Sequence, residues 1–150
     1  YANYSKFERL YSNTSMPKYD GNTKEYGIKT VIPYLGNSSF ISAGVDFKEF
    51  EHKNKLNKTY DNTGIYISNT NKFFDDKTIL TQSLRYDKYN KFDNKATGKI
   101  GLKQYIVDEL NVSTNYGTGY NVPTIYQLFE PETRWGKVGN ENLSPEKTKS

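Results

Sequence analysis

Apolar and polar residues alternate along most of the chain. From Thr23 to Leu35 one side reads Tyr26, Ile28, Thr30, Ile32, Tyr34 and the other Glu25, Gly27, Lys29, Val31. From Ser38 to Phe50, Ile41, Ala43, Val45 and Phe47 oppose Ser42, Gly44, Asp46 and Lys48. From Thr78 to Tyr89, Leu80, Leu84 and Tyr86 oppose Ser83, Arg85 and Asp87. From Leu110 to Gly117, Leu110, Val112, Thr114 and Tyr116 oppose Asn111, Ser113, Asn115 and Gly117. The pattern is weaker over Thr63–Phe74 and Ala96–Val107, where Ile65/Ile67 and Ile100/Leu102 are the apolar pairs. A strand around Tyr4–Tyr11 precedes these, and another is expected to begin at Ser144-Pro145-Glu146. A period of two places successive side chains on opposite faces of a β-strand.

The predicted strands run to about 10–14 residues, against the usual ~5–6 of soluble sheets and close to what a tilted strand needs to cross a bilayer. Tyr26 and Tyr34 share a face. At ~3.3 Å per residue they stand roughly 26 Å apart, near the spacing of the two aromatic girdles of a membrane barrel. The connections sort by length. Leu35-Gly36-Asn37, Asp75-Asp76-Lys77 and Asp108-Glu109 are short; those near Ser12–Asn22, Glu51–Asn62, Lys88–Lys95 and after Thr118 are long and polar. Outer-membrane barrels have short periplasmic turns and longer outer loops. The fold expected is all-β: an antiparallel transmembrane β-barrel segment, a partial wall of about seven to eight long hairpin-linked strands, with a helical turn at most near Thr124–Leu128. On this reading Ile28, Ile32, Ile41, Val45, Phe47, Leu84, Ile100, Leu102, Leu110 and Val112 face lipid. Lys29, Asp46, Arg85, Asp87, Lys99, Asn111 and Asn115 face the lumen.

Composition fits a barrel and narrows the chemistry. Only 34% of the 150 residues are hydrophobic, yet 15% are aromatic, with 14 Tyr and 8 Phe. No apolar run approaches the ~20 residues of a membrane helix. The absence of cysteine removes disulfides, thiolate metal sites and a cysteine nucleophile. A net charge of +4, with lysines scattered along the chain, lacks the dense basic stripe of a nucleic-acid binder. No catalytic acid–base pair or nucleophile is assembled, so no enzyme is expected. Asp75-Asp76 reads as a turn pair, Asp87 and Asp93 are too sparse for a calcium site, and no metal or cofactor is expected. The lone histidine, His52, reads as a solvated loop residue. With no initial Met, no leader and no evident stop, residues 1–150 are expected to be a fragment.

Near the C-terminal end stand Tyr116-Gly117-Thr118-Gly119-Tyr120-Asn121-Val122-Pro123, Leu128, and then Gly139-Asn140-Glu141-Asn142-Leu143-Ser144-Pro145-Glu146-Lys147. This resembles the late-barrel signature of TonB-dependent outer-membrane receptors. Ala43-Gly44-Val45-Asp46, Thr63-Gly64-Ile65-Tyr66 and Ser83-Leu84-Arg85-Tyr86-Asp87 resemble earlier strands of the same barrel, in order. The likeness is nearest to the vitamin B12 and catecholate-siderophore receptors. It implies a Gram-negative outer-membrane location and uptake of a scarce, bulky nutrient, a ferric siderophore or cobalamin. It also implies a plug domain and a TonB-engaging segment, neither of which is present in residues 1–150. The signature residues Tyr116, Gly117, Gly119, Pro123, Leu128, Asn140, Asn142, Leu143, Pro145 and Glu146 are expected to be architectural. Ligand contact is expected from Tyr120, Tyr126, Phe129, Arg134 and Trp135, with a loop that packs on itself as the alternative. Haem uptake is disfavoured because no His lies between the two halves of the signature. The rival class is a non-transport β-rich module, such as a lectin-like sandwich or an adhesin.

Overall fold

The computed structural model describes residues 1–9, 19–36, 38–52, 57–129 and 139–150. Eight strands form one antiparallel sheet in sequence order: β1 (Ala2–Arg9), β2 (Tyr19–Tyr34), β3 (Ser39–His52), β4 (Lys58–Phe73), β5 (Thr78–Tyr89), β6 (Lys95–Val107), β7 (Leu110–Asn121) and β8 (Glu146–Lys149). A five-residue helix, α1 (Ile125–Phe129), follows β7. Each strand pairs with the next without a crossover, as hairpin connections require.

The register keeps the two faces distinct across the wall. Ile28 pairs with Val45, Val45 with Ile65, and Ile65 with Tyr86. One step along, Thr30, Ala43, Ile67 and Leu84 form the next row. Ile100 pairs with Tyr116 and Leu102 with Thr114. These side chains find no protein cover: Ile28 is 75%, Leu84 66% and Val112 61% exposed. On the opposite face Gly27, Asp46, Gly64 and Asp87 form one row, and Lys29, Gly44, Tyr66 and Arg85 the next. The wall therefore buries its polar face better than its apolar one. Asp46, Asn62 and Asp87 are buried while the leucines and isoleucines opposite are not.

The turns fall at two ends. Leu35 and Gly36, Phe74–Asp76, and Asp108-Glu109 connect strands at one end. Leu35, Gly36, Phe74, Asp75 and Asp76 have φ between 50° and 64°. Asp is among the side chains that best tolerate that left-handed region, and Lys72 Nζ adds a 2.7 Å bond to Asp76 Oδ2. Asp75-Asp76 is thus a turn pair.

At the other end the strands outrun the sequence expectation. β2 begins at Tyr19 rather than Thr23, β3 reaches His52, and β4 begins at Lys58 rather than Thr63. The extra residues are mostly polar in sequence, with Tyr60 of β4 the buried exception. A sheet that projects into water needs no alternation, because its ladder is held by the backbone. His52 corrects the expectation directly: it ends β3 and is fully buried rather than solvated in a loop.

Candidate functional site

The polar face carries a charge cluster built around a missing side chain. Asp46 and Asp87 flank Gly64 across the sheet, and Arg85 stands beside Tyr66 one row away. The Arg85 guanidinium lies over Gly64, where any Cβ would collide with Nη2. From there it forks. Nη1 and Nη2 donate to Asp46 at 2.7 and 2.8 Å, and Nε and Nη2 donate to Asp87 at 2.9 and 2.8 Å. Asn62 Nδ2 adds a 3.0 Å bond to Asp87 Oδ1. Only a planar guanidinium can serve two carboxylates on opposite sides in this way. Nearby, Lys48 Nζ meets Glu25 at 3.1 Å. Gly44 plays the same part for the Tyr66 ring, and Gly27 for that of Tyr1, so rings and guanidinium lie flat along this part of the wall. The spacing of these glycines was in the sequence, but their partners, Tyr66 and Tyr1 directly across and Arg85 two residues along the next strand, appear only with the register.

Beyond β7 the chain folds back over the polar face at the long-loop end. Pro123 cannot donate to a ladder, and β7 stops at Asn121. Thr124 caps α1: its Oγ1 accepts from Gln127 N at 3.2 Å while Gln127 Oε1 accepts from Thr124 N at 2.8 Å. This is a reciprocal capping box, and Thr124-Ile125-Tyr126-Gln127 is its sequence signal. The helix places Ile125, Leu128 and Phe129 in a small core with Tyr60, against Phe50, Phe92 and Val122. The Phe50 and Tyr60 rings stack at 4.8 Å, and the Tyr60 hydroxyl donates to the Pro123 carbonyl at 3.2 Å. Lys58 and Lys91 place their ammonium groups 5.7 and 5.0 Å from the Phe129 ring.

Between this seated segment and the charge cluster lies an open cleft of about 360 Å³. Lys48, Asn62, Arg85, Tyr89, Tyr120 and Asn121 are among its walls. The Tyr89 and Tyr120 rings meet at 5.9 Å. Of the residues expected to contact a ligand, Tyr120 lines the cleft and Tyr126 is half-buried on α1. Phe129 is buried in the local core, where the packed-loop alternative describes it. Arg134 and Trp135 lie outside the described residues. Of the residues expected to face the lumen, Asp46, Arg85 and Asp87 come together; Lys29, Lys99, Asn111 and Asn115 share their face but stand apart and exposed.

The signature residues tie β7, α1 and β8 into one unit. Gly119 pairs with Thr148, whose side chain occupies the space of a Cβ, and Gly117 exchanges backbone bonds with Ser150. Neither glycine has positive φ, so close approach and not bending is their use. Tyr116 points out on the apolar face, and Leu128 and Pro123 are buried. Asn140 N donates to Gln127 O at 2.9 Å, and Asn140 Oδ1 accepts from Asn142 N at 3.0 Å. Leu143 N closes the turn on Asn140 O, and Pro145 immediately precedes β8, where Glu146 pairs with Asn121. The residues missed from sequence were Phe50, Tyr60 and Phe92, which had no periodic partner to announce them.

A wall with one uncovered apolar face, one polar face and turns sorted by end defines a piece of an outer-membrane β-barrel. The chain belongs to the family described as TonB dependent receptor-like, beta-barrel, whose model matches residues 1–150. It is 28% identical over 147 residues to the vitamin B12 transporter BtuB of Vibrio cholerae serotype O1, covering 95% of this chain and 22% of that protein. It is 32% identical over 90 residues to the BtuB of Photobacterium profundum, covering 60% of this chain and 14% of that one. Its fold matches the siderophore receptor PirA from Pseudomonas aeruginosa with a TM-score of 0.83 at 16% identity, over 99% of this chain and 30% of that one. The chain thus spans about a fifth of the length of the curated relatives it matches. Barrels of this family lie in the outer membrane of Gram-negative bacteria, and these relatives are transporters and receptors, not enzymes.

Proposed function

We propose that the complete protein is a TonB-dependent transporter for a scarce, bulky nutrient, with residues 1–150 as part of its barrel wall. The apolar face then meets lipid and the polar face lines the lumen. The plug domain and the TonB-engaging segment that this reading requires belong to the rest of the protein. The cleft between α1 and the charge cluster would be an entry-side contact for the nutrient.

The observation that carries the choice of substrate is charge compensation. Arg85 is held by two carboxylates and Lys48 by Glu25. What the cleft offers is the Asn121 amide and the phenols of Tyr89 and Tyr120. These suit an uncharged, amide-rich corrinoid better than a multiply anionic ferric catecholate. The B12 transporters among its relatives support the same choice. A ferric catecholate is the second reading, favoured by the ammonium groups of Lys58 and Lys91 beside Phe129. The test is binding of labelled cyanocobalamin and of a ferric catecholate by cells producing the complete receptor, with and without active TonB. Saturable, TonB-coupled uptake of cobalamin alone is the expected result; uptake of neither would overturn both substrate readings.

A further inference from the structure

The apolar face is interrupted by polar side chains toward its short-turn end. Tyr34, Asn69, Asn71 and Gln82 share that face with Ile32, Ile41, Ile67 and Leu84. They bond to one another. Tyr34 Oη donates to Asn69 Oδ1 at 2.7 Å, and Asn71 Nδ2 donates to Tyr34 Oη at 2.5 Å. Asn69 Nδ2 donates to Asn71 Oδ1 at 2.8 Å and to Gln82 Oε1 at 3.3 Å. Gln82 enters this network through its carbonyl oxygen, which leaves its amide N–H groups for an acceptor outside the protein. A carboxamide N–H facing hydrocarbon would have none.

The cluster also shortens the apolar stretch. On β4 only Ile65 and Ile67 separate Thr63 from Asn69, and on β5 only Tyr86 and Leu84 separate Lys88 from Gln82. Six residues at ~3.3 Å each, on a strand tilted by ~40°, span about 15 Å of height, against about 20 Å from Tyr26 to Tyr34 on β2. An apolar band of this kind of barrel is typically ~25 Å tall.

We infer that the Tyr34–Asn69–Asn71–Gln82 cluster binds the ester-and-headgroup layer of the leaflet at the short-turn end, so that the bilayer is thinner against β4 and β5 than against β2. The inference rests on the lipid-facing reading of the apolar face. Phospholipid ester and phosphate oxygens are the acceptors that the Gln82 amide lacks. Leu80, one step nearer the turn on the same face, then sits in the polar layer despite being leucine.

The test is nitroxide labelling of single cysteines at Leu80, Leu84 and Ile28 in the complete receptor, reconstituted in phosphatidylethanolamine–phosphatidylglycerol bilayers. Collision with oxygen and with a water-soluble nickel complex reports depth. Leu84 and Ile28 should favour oxygen, and Leu80 should favour nickel, with a several-fold difference in the ratio. Adding Asn69→Leu and Gln82→Leu should move the Leu80 label toward the oxygen side. A Leu80 label that reads like Leu84 in the unaltered wall overturns the inference, as does one unmoved by the double substitution. Loss of collision with both reagents at Leu80 would mean a protein covers the cluster, which also overturns it. If Leu84 and Ile28 themselves favoured nickel, the lipid-facing reading would be the one to fall.

Discussion

Gly64 shows how far the charge cluster depends on an absent side chain. Its missing Cβ leaves the floor on which the Arg85 guanidinium rests between Asp46 and Asp87. Gly64→Ala should push the guanidinium off both carboxylates and leave two buried acids facing each other. The expected loss is about 1–3 kcal/mol, the usual scale for stripping a buried polar group of its partner. It should appear as unfolding of the complete receptor at lower temperature in heat-modifiability gels. Gly101→Ala is the control, since a Cβ there would meet nothing nearer than 3.7 Å. An equal effect of the two would show that the cluster contributes no particular stability. Arg85→Lys should fail to rescue the cluster, because an ammonium cannot fork to both acids. An unchanged melting temperature for that variant would count against the bidentate geometry.

At the scale of the strand, the two faces were legible because their alternation is a local property. Every residue assigned to one side of a strand by its period stays with its neighbours across the ladder, since a slip of one residue would invert a whole strand. β7 provides the sharpest check, because Asn111 and Val112 are adjacent and both exposed but lie on opposite faces. Val112→Arg should reduce assembly of the complete receptor, by less than the roughly 2–4 kcal/mol of an arginine at mid-bilayer because Val112 lies near the short-turn end. Asn111→Arg should assemble nearly normally. Similar yields of folded receptor from both would sink the lipid-facing assignment of this strand. What could not be read was where the strands end in water. Tyr19–Asn22 and Lys58–Asp61 are mostly polar in sequence and show no run of apolar alternation, so nothing in their pattern separates a continuing strand from a loop. The core around Tyr60 was equally hidden. Its partners come from β3, the β5–β6 connection and α1, and no local period links them. The charge cluster was half legible: its three charged residues could be placed on one face, but the bridging of Asp46 and Asp87 by Arg85 needed the register of three strands.

For the whole wall, the meander order places successive connections at alternate ends. Gly36, Asp76 and Asp108 fall at one end, and His52 and Asn90 at the other. On the proposed outer-membrane reading, a cysteine at Asn90 should react with a membrane-impermeant maleimide on intact cells, and one at Asp76 should not. Both positions are exposed, so a difference in labelling reports sidedness and not burial. His52 is no use for this purpose, although it lies at the same end as Asn90, because it is buried. Equal labelling at 76 and 90 would refute the orientation.

The seating of α1 also has a kinetic meaning. Every described strand touches its neighbours in sequence, so the wall can grow by adding one hairpin after another. The segment from Pro123 through α1 breaks that rule, for the Tyr60 hydroxyl reaches Pro123, 63 residues away, and α1 packs on β3 and β4. A contact of such long range must wait for the loop closure that earlier pairings bring about. The helix can settle on β3 and β4 only after β5, β6 and β7 have turned the chain back, which makes its docking a late event in assembly. Phe129→Ala should therefore leave the hairpins and their protection from hydrogen exchange intact, while the amide of Leu128 exchanges early. If the same substitution stripped protection from β4–β7 as well, the helix would be guiding the growth of the wall instead of registering that it is finished.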